Sequence, residues 1–321
     1  MVLSKNHGKR SMPRDWKKYD EFRRLDEMLV LNIISKAVNA LDPPYKVKEK
    51  GSVGRPDADP RAIAKLLIFR AFFGTSYRST FSKLHDNVEY RKALGVEHLP
   101  APSTMQAHNK DISEAYFQRV IGLIALMIMN LQGMSTVNAA ADSTGLSTNM
   151  YGRWYTVKYG EGDRRQYIKL HAIVTADTDM PFFIYAKVTD GTASDAAELE
   201  EMISNVDVNV GEMYLDKGYL SRANAQLIAD IGAVPYIAIK SNVKSKSYGY
   251  PAWNRMVNMY RENPDDYAKH YHRRSVIEGV FSAMKRRMQS SIRSRIFHNQ
   301  VLEAICRAAV WNAISLAYHM I

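Results

Sequence analysis

The order of apolar and turn-forming residues predicts an α/β protein, a mixed sheet flanked by helices and preceded by an all-helical N-terminal region. Up to Gln132 the apolar residues recur at helical spacing, as in Phe22, Leu25, Leu29 and Ile33. After Gly133 short apolar runs bounded by turn residues take over, the mark of strands. Those runs then alternate with helical patterns, which is how a sheet covered by helices is written in a chain.

Taken in order, residues 1–54 begin with a Lys/Arg-rich arm that runs into an amphipathic helix, roughly Tyr19 to Leu41. The arm either touches DNA phosphate or serves as a solubilising tail. Residues 55–132 form a helical region assigned to DNA binding. There Asp59-Pro60 joins an N-cap acceptor to proline at the first helical position, and Gly74 is placed to end the helix. Shorter helices are expected at 77–84, 88–94 and 104–110. Gln106, His108, Asn109 and Lys110 make the last either a reader of base edges or a cap on the core. Asp111 and Glu114, spaced like a capping box, open a helix that runs to Gln132.

Residues 133–321 form the catalytic domain, with an insertion at about 241–269. Strands are expected at 135–141, 167–176 and 181–188, then a helix over 192–205 with Ser194 and Asp195 as cap candidates. Strand 212–215, helix 221–231 and strand 234–239 follow, and an apolar helix over 300–318 closes the chain against the sheet. Three strands, helix, strand, helix, strand and a late helix is the order of the ribonuclease-H-like fold. There the first and fourth strands lie parallel and adjacent.

Composition bounds the partners. The 321 residues carry a formal net charge of +11 and a pI near 9.5. Such an excess of lysine and arginine acts by neutralising phosphates, so a polyanion is the expected partner. Cys306 is the only cysteine, which excludes intramolecular disulfides and thiolate metal sites. The most apolar run, Val120 to Leu131, is short of a membrane span, and the basic N-terminus lacks a signal-peptide core. No membrane partner and a cytoplasmic, nucleoid-associated location are the expectations.

Chemistry concentrates in YHRRSVIEGVFSAMK, Tyr271 to Lys285, which reads as one helix. At about 100° per residue Tyr271, Arg274, Glu278 and Lys285 fall within an arc of roughly 60°, while Ile277, Val280, Phe281, Met284 and Met288 take the packing side. A charged helix face is usually just solvated. Two upstream aspartates, Asp142 in AAADSTG and Asp216 in EMYLDKGY, shift the balance, each where an apolar run ends in turn chemistry. Three carboxylates, two from strand ends and one from a helix, suit Mg²⁺ and leave positions open for phosphate oxygens.

Together these residues resemble the insertion-sequence DDE transposases, in particular the group with the YREK signature. Tyr271, Arg274, Glu278 and Lys285 fit its Y-x2-R-x3-E-x6-K spacing; ADST, LDKGYLSRANAQLIADIGAVPYIAIK and HRRSVIEGVFSAMKRRMQSSIRSR look like its three acidic blocks. RPDADPRAIAKLLIFRAFFGTSYRSTFSKLHDN looks like the helical region of such proteins. The resemblance implies Asp142, Asp216 and Glu278 as catalytic metal ligands, with Mg²⁺ as the ion and Mn²⁺ as a substitute. It implies phosphate contacts from Tyr271, Arg274 and Lys285, cleavage at transposon ends, and strand transfer of the 3′-hydroxyl into target DNA. The partners would be double-stranded DNA, as terminal repeats and target, and a second copy in a homodimer on paired ends. A structure-specific nuclease and a non-catalytic DNA-binding descendant are the alternatives.

Neighbouring residues are read both ways. Lys217 either grips phosphate or fills an Asp-Lys-Gly turn. Arg286 and Arg293, with Arg287 and Arg295, extend the positive surface toward DNA or form a solvated face. Lys169 and His171 either face the cleft or serve structure. Trp253 either packs in the core, the better expectation for tryptophan, or stacks on an unpaired base.

Overall fold

A computed structural model describes residues 27–48, 57–148, 167–240, 243 and 248–321. The basic arm, the first part of the helix expected over 19–41, and part of the 241–269 insertion lie outside the described residues.

The helical half starts with α1 (Glu27–Ala40), α2 (Pro60–Phe73), α3 (Tyr77–Asp86), α4 (Val88–Leu94), α5 (Pro102–His108) and α6 (Glu114–Gln132). Helix α2 begins and ends on the residues that signalled it. Asp59 accepts from the Arg61 N–H, Pro60 occupies the first turn, and Gly74 turns the chain off at φ 59°, a left-handed conformation costly for any residue with a Cβ. The capping box expected at Asp111 and Glu114 does not form. Asp111 binds His108 Nδ1 at 2.9 Å within a 3₁₀ turn, Asn109–Asp111, and Glu114 Oε1 accepts from Gln118 and from the Val188 N–H. The helix starts later than expected, with Ser113 at its N-cap, and the β3 backbone takes the Glu114 carboxylate.

The second half contains β1 (Val137–Ser147), β2 (Tyr167–Thr175), β3 (Phe183–Asp190), α7 (Asp195–Ser204), β4 (Val210–Leu215), α8 (Arg222–Asp230) and β5 (Val234–Ile237). Then come α9 (Pro251–Glu262), α10 (Pro264–Tyr271), α11 (Ser275–Met288) and α12 (Phe297–Met320). The five strands form one sheet in the order β3-β2-β1-β4-β5. The β1–β2 and β2–β3 pairs are antiparallel, whereas β1–β4 and β4–β5 are parallel. A mixed sheet of this order, flanked by helices and preceded by a helical region, is consistent with the ribonuclease-H-like core.

Strand β1 runs further than expected. It stays paired with β2 as far as Ser147, but its parallel partner β4 stops at Leu215, opposite Ala141. Asp142 is therefore not at a strand end; it is the first β1 residue whose β4-side edge is open.

Helix α12 is buried along nearly its whole length and packs on α6, α2, α1 and β3. It is apolar and long enough to cross a bilayer, yet 94% of that stretch is buried inside the protein, so it acts as a core helix. Its Asn312 is wholly buried and serves the open edge of β3. The side-chain oxygen accepts the Phe183 N–H at 2.7 Å, while the amide donates to Phe183 O and Ile121 O. A buried backbone group without such a partner costs free energy comparable to a lost hydrogen bond. One apolar cluster runs from α1 through the sheet to α12, with no break at the point where helices give way to strands.

Candidate active site

The parallel register sets the first two acids side by side. Ala141 pairs with Leu215, so Asp142 and Asp216 are the next residues along two adjacent strands, Asp216 leaving in an extended conformation. Neighbouring strands lie about 4.8 Å apart, and paired residues point to the same face. Asp142 is mostly buried, which pushes its carboxyl above the ordinary range, and the nearby charges of Asp216 and Asp195 push the same way. The Ser143 N–H at 2.8 Å and Arg274 act against this.

The third acid stands on α11 and is linked to Asp142 through a shared arginine. The segment 271–285 is not one α-helix: α10 ends at Tyr271, His272–Arg274 form a tighter 3₁₀ turn, and α11 starts at Ser275. The backbone stays right-handed across the junction, at φ −56° for Tyr271 and −52° for Arg274. The face arithmetic of a regular helix thus fits Arg274, Glu278 and Lys285 better than Tyr271, since the 3₁₀ turn advances further per residue. Helix α11 buries Ile277, Val280, Phe281, Met284 and Met288 and packs on β1.

Arg274 links the two elements. Its Nη1 donates to Asp142 Oδ2 at 3.0 Å and its Nη2 to Glu278 Oε1 at 2.6 Å. Burial works against the guanidinium charge, but the bond to Glu278 and the neighbouring Tyr271 and Asp142 hold it more firmly protonated than usual. Lys285, about two turns beyond Glu278, donates to Thr144 Oγ1 at 2.6 Å, and burial pulls its ammonium below the ordinary range. Tyr271 is half-buried beside His272.

The turn that carries Arg274 is itself anchored. Glu212 on β4 accepts from Tyr214 at 2.6 Å and lies 2.8 Å from His270 Nδ1, while Arg273 donates to the Tyr214 hydroxyl at 3.1 Å. The His270 ring stacks on Tyr236 at 4.7 Å. No spacing rule pointed to this network, because its members lie 58 residues apart along the chain.

Other expected residues are spread around the site. Lys217 is exposed and opens the 3₁₀ turn 217–219, in keeping with its turn composition. Arg286 is exposed and donates to Ser282 on its own helix. Arg293 lies beyond α11, half-buried, with its backbone N–H on Glu303. Trp253 is 6% exposed, within the core.

Lys169 and His171 do not share the face of Asp142. Ser143 pairs with His171 whereas Asp142 pairs with Ala172, and alternate residues of a strand point opposite ways. His171 is fully buried against Thr189 and Asp195; Lys169 donates to Asp195 and the Ala193 carbonyl. Asp195, read only as a helix cap, proves to be a fourth acid whose charge is felt at Asp142 and at the buried Tyr219 hydroxyl.

Among the described residues no three acid or histidine side chains stand close enough together, as placed, to hold a metal ion. The donor chemistry nevertheless fits a hard cation. Asp142, Asp216 and Glu278 offer only carboxylate oxygens, burial and the nearby Asp216 charge both raise the Asp142 carboxyl, and the Arg274 guanidinium bridges Asp142 and Glu278.

Comparison with known proteins identifies the family. Residues 136–313 match the family described as "Transposase DDE domain", and residues 14–110 match one described as "Transposase domain (DUF772)". The chain is similar to the probable transposase for insertion sequence element ISA1214 of Archaeoglobus fulgidus, 27% identical over 243 residues. That stretch spans 74% of this chain and 64% of the relative. No solved structure matches.

Proposed function

The chain belongs to the insertion-sequence DDE transposases, and from that premise we propose that it cuts DNA at transposon ends and transfers the freed 3′-hydroxyl into target DNA. Family membership implies DNA binding and a divalent metal. The finer reading is Mg²⁺, replaceable by Mn²⁺, held by Asp142, Asp216 and Glu278, in a member of the YREK group. The observation that carries it is the pairing of Ala141 with Leu215, which sets two acids side by side, together with the Arg274 bridge from Asp142 to Glu278.

A bound divalent ion supplies Lewis-acid stabilisation of the charge that builds on phosphate oxygens. The side chains supply alignment. Arg274, now shared by two carboxylates, is a planar fork suited to a phosphate once the acids take a cation instead. Lys285, held at Thr144 on the active strand, adds a second cation, and Tyr271 a hydroxyl, toward the scissile backbone. Lys217, Arg286 and Arg293 extend the grip along the duplex. The working unit is a homodimer on paired ends, acting in the cytoplasm on the nucleoid.

The test is incubation of the protein with Mg²⁺, labelled terminal DNA and a target duplex. Asp142→Asn, Asp216→Asn and Glu278→Gln are each expected to stop cleavage while end binding survives. Full cleavage by any of them removes that residue from the site. Cut products that never join to target would instead support a nuclease.

A further inference from the structure

Between α11 and α12 the chain presents an apolar pair in a cationic frame. Ile296 is 65% exposed and Phe297 49%, among the most exposed large apolar side chains of the described residues. From Gly279 to Leu302 the sequence holds no acid, and Lys285, Arg286, Arg287, Arg293 and Arg295 all fall within it. A cationic frame with no acid in it complements a partner with phosphates outside and an apolar stack within, while a protein partner would need an acidic rim to match it.

The backbone beneath the pair is tied down. Ser291 bridges to Ser147 at the end of β1, with the Ile292 N–H donating to Ser147 O at 2.7 Å. Arg307 donates to the carbonyls of Gln289 and Ser291, Glu303 accepts the N–H groups of Arg293 and Ser294, and Gln300 donates to the carbonyls of Ser294 and Arg295. Ile296 and Phe297 are therefore displayed at the start of α12 from a strap whose backbone is held by α12 side chains and by the end of β1. The same end of α12 meets the helical half of the molecule: His298 Nε2 lies 3.2 Å from the Asn109 carbonyl, in the turn that follows α5 and carries the exposed Lys110.

We propose that Ile296 and Phe297 form a wedge that enters a base step of duplex DNA, with Arg293 and Arg295 on the flanking phosphates. The inference rests on the transposase reading and adds a contact to it. Isoleucine cannot stack on an unpaired base as an aromatic can, whereas a branched side chain beside a phenyl ring suits a partly opened step in a kinked duplex. The unstacking is offset by the added contact that a bent duplex makes with the protein.

The test uses the full chain with a mixed-sequence duplex carrying 2-aminopurine, and heparin as a polyanion without a base stack. Wild type is expected to bind both and to raise 2-aminopurine fluorescence in the duplex. Ile296→Ser with Phe297→Ser is expected to keep its heparin affinity, lose duplex affinity by about tenfold and abolish the fluorescence rise. Phe297→Leu, which keeps the apolar bulk, is expected to retain most of both. Unchanged duplex affinity and fluorescence in the double variant overturn the wedge and leave the transposase reading standing. Equal loss on duplex and heparin also overturns it, as does a dimer that becomes monomeric with duplex affinity intact, which would assign the patch to a second copy. Failure of wild type to bind duplex sinks both readings together.

Discussion

Two arginine-bridged carboxylate clusters in this molecule are built from the same parts and do opposite work. In the interior, Glu303 of α12 takes Arg307 Nη2 and the Arg293 N–H on Oε1, and Arg70 Nη2, the Ser294 N–H and the Ser294 hydroxyl on Oε2. The side chains of Arg70 and Glu303 are 6% and 4% exposed. At the edge of β1, Arg274 bridges Asp142 and Glu278, but Glu278 is 59% exposed and its carboxylate accepts one hydrogen bond among the described residues. The interior cluster, in which both Glu303 oxygens are used, ties α2, α12 and the strap after α11 into one block. The open cluster keeps lone pairs for something not yet bound. Saturation, more than charge or residue type, separates architecture from chemistry here.

The widest separation should come from removing one acid on each side. Asp142→Asn or Asp216→Asn is expected to lower cleavage by at least about 10²–10³-fold. Asp142→Asn should do so without loss of melting temperature. Burial raises the Asp142 carboxyl, so its charged form costs stability that grows as pH rises through the folded-state value, and a neutral amide removes that cost. A large drop in melting temperature would put Asp142 with the architectural group.

Glu303→Gln should show the reverse pattern. Breaking a buried, saturated pair costs roughly 3–5 kcal/mol, readable as a shift in urea midpoint, with cleavage falling only as the folded fraction falls. A stable variant with intact fold but no cleavage would break the comparison from this side.

The two clusters should also differ with pH. Burial acts to raise Glu303, but Arg70 and Arg307 outweigh it and hold the carboxyl below its ordinary range. Its contribution is then fully present above the usual glutamate value of about 4.3 and is lost as pH falls through the depressed one. Urea midpoints followed downward in pH should fall steeply for wild type and more gently for Glu303→Gln. Parallel curves would deny Glu303 that role.

The smallest effect sharpens the outer boundary of the open cluster. Arg286 is exposed and, among the described residues, bonded only to Ser282 on its own helix, so Arg286→Ala should weaken duplex binding evenly across sequences. The slope of log affinity against log salt should become shallower by about 1. An unchanged slope would take Arg286 off the DNA path.

Much of the fold was legible because local chemistry agreed with it. Asp59, Pro60 and Gly74 bound α2 as their propensities require, and the strand and helix order from β1 to β5 is the order found, whereas α9 and α10 occupy the stretch expected as an irregular insertion at 241–269. Legibility failed where distant partners outbid local ones. Glu114 was spaced for a cap with Asp111, but the β3 backbone, 74 residues on, took its carboxylate, while Asp111 turned to His108 only three residues back. Asp195 looked like a helix cap and serves Lys169 and His171 instead. The 3₁₀ turn at His272–Arg274 had no local signal either; Glu212 and Tyr214, some sixty residues upstream, hold it in place.

The order of residues by itself determined a basic, cysteine-poor α/β chain with two aspartates after apolar runs and a glutamate four residues past an arginine. Those properties depend on neighbours within a few positions, where periodicity and turn chemistry operate. Only the folded chain decided that β4 stops opposite Ala141, leaving the β1 edge open at Asp142, and that Arg274 reaches back 132 residues to that acid. It also decided that Glu303 is saturated while Glu278 is not. Distances between groups far apart in the chain are set by which apolar faces pack together, and no spacing rule carries that information.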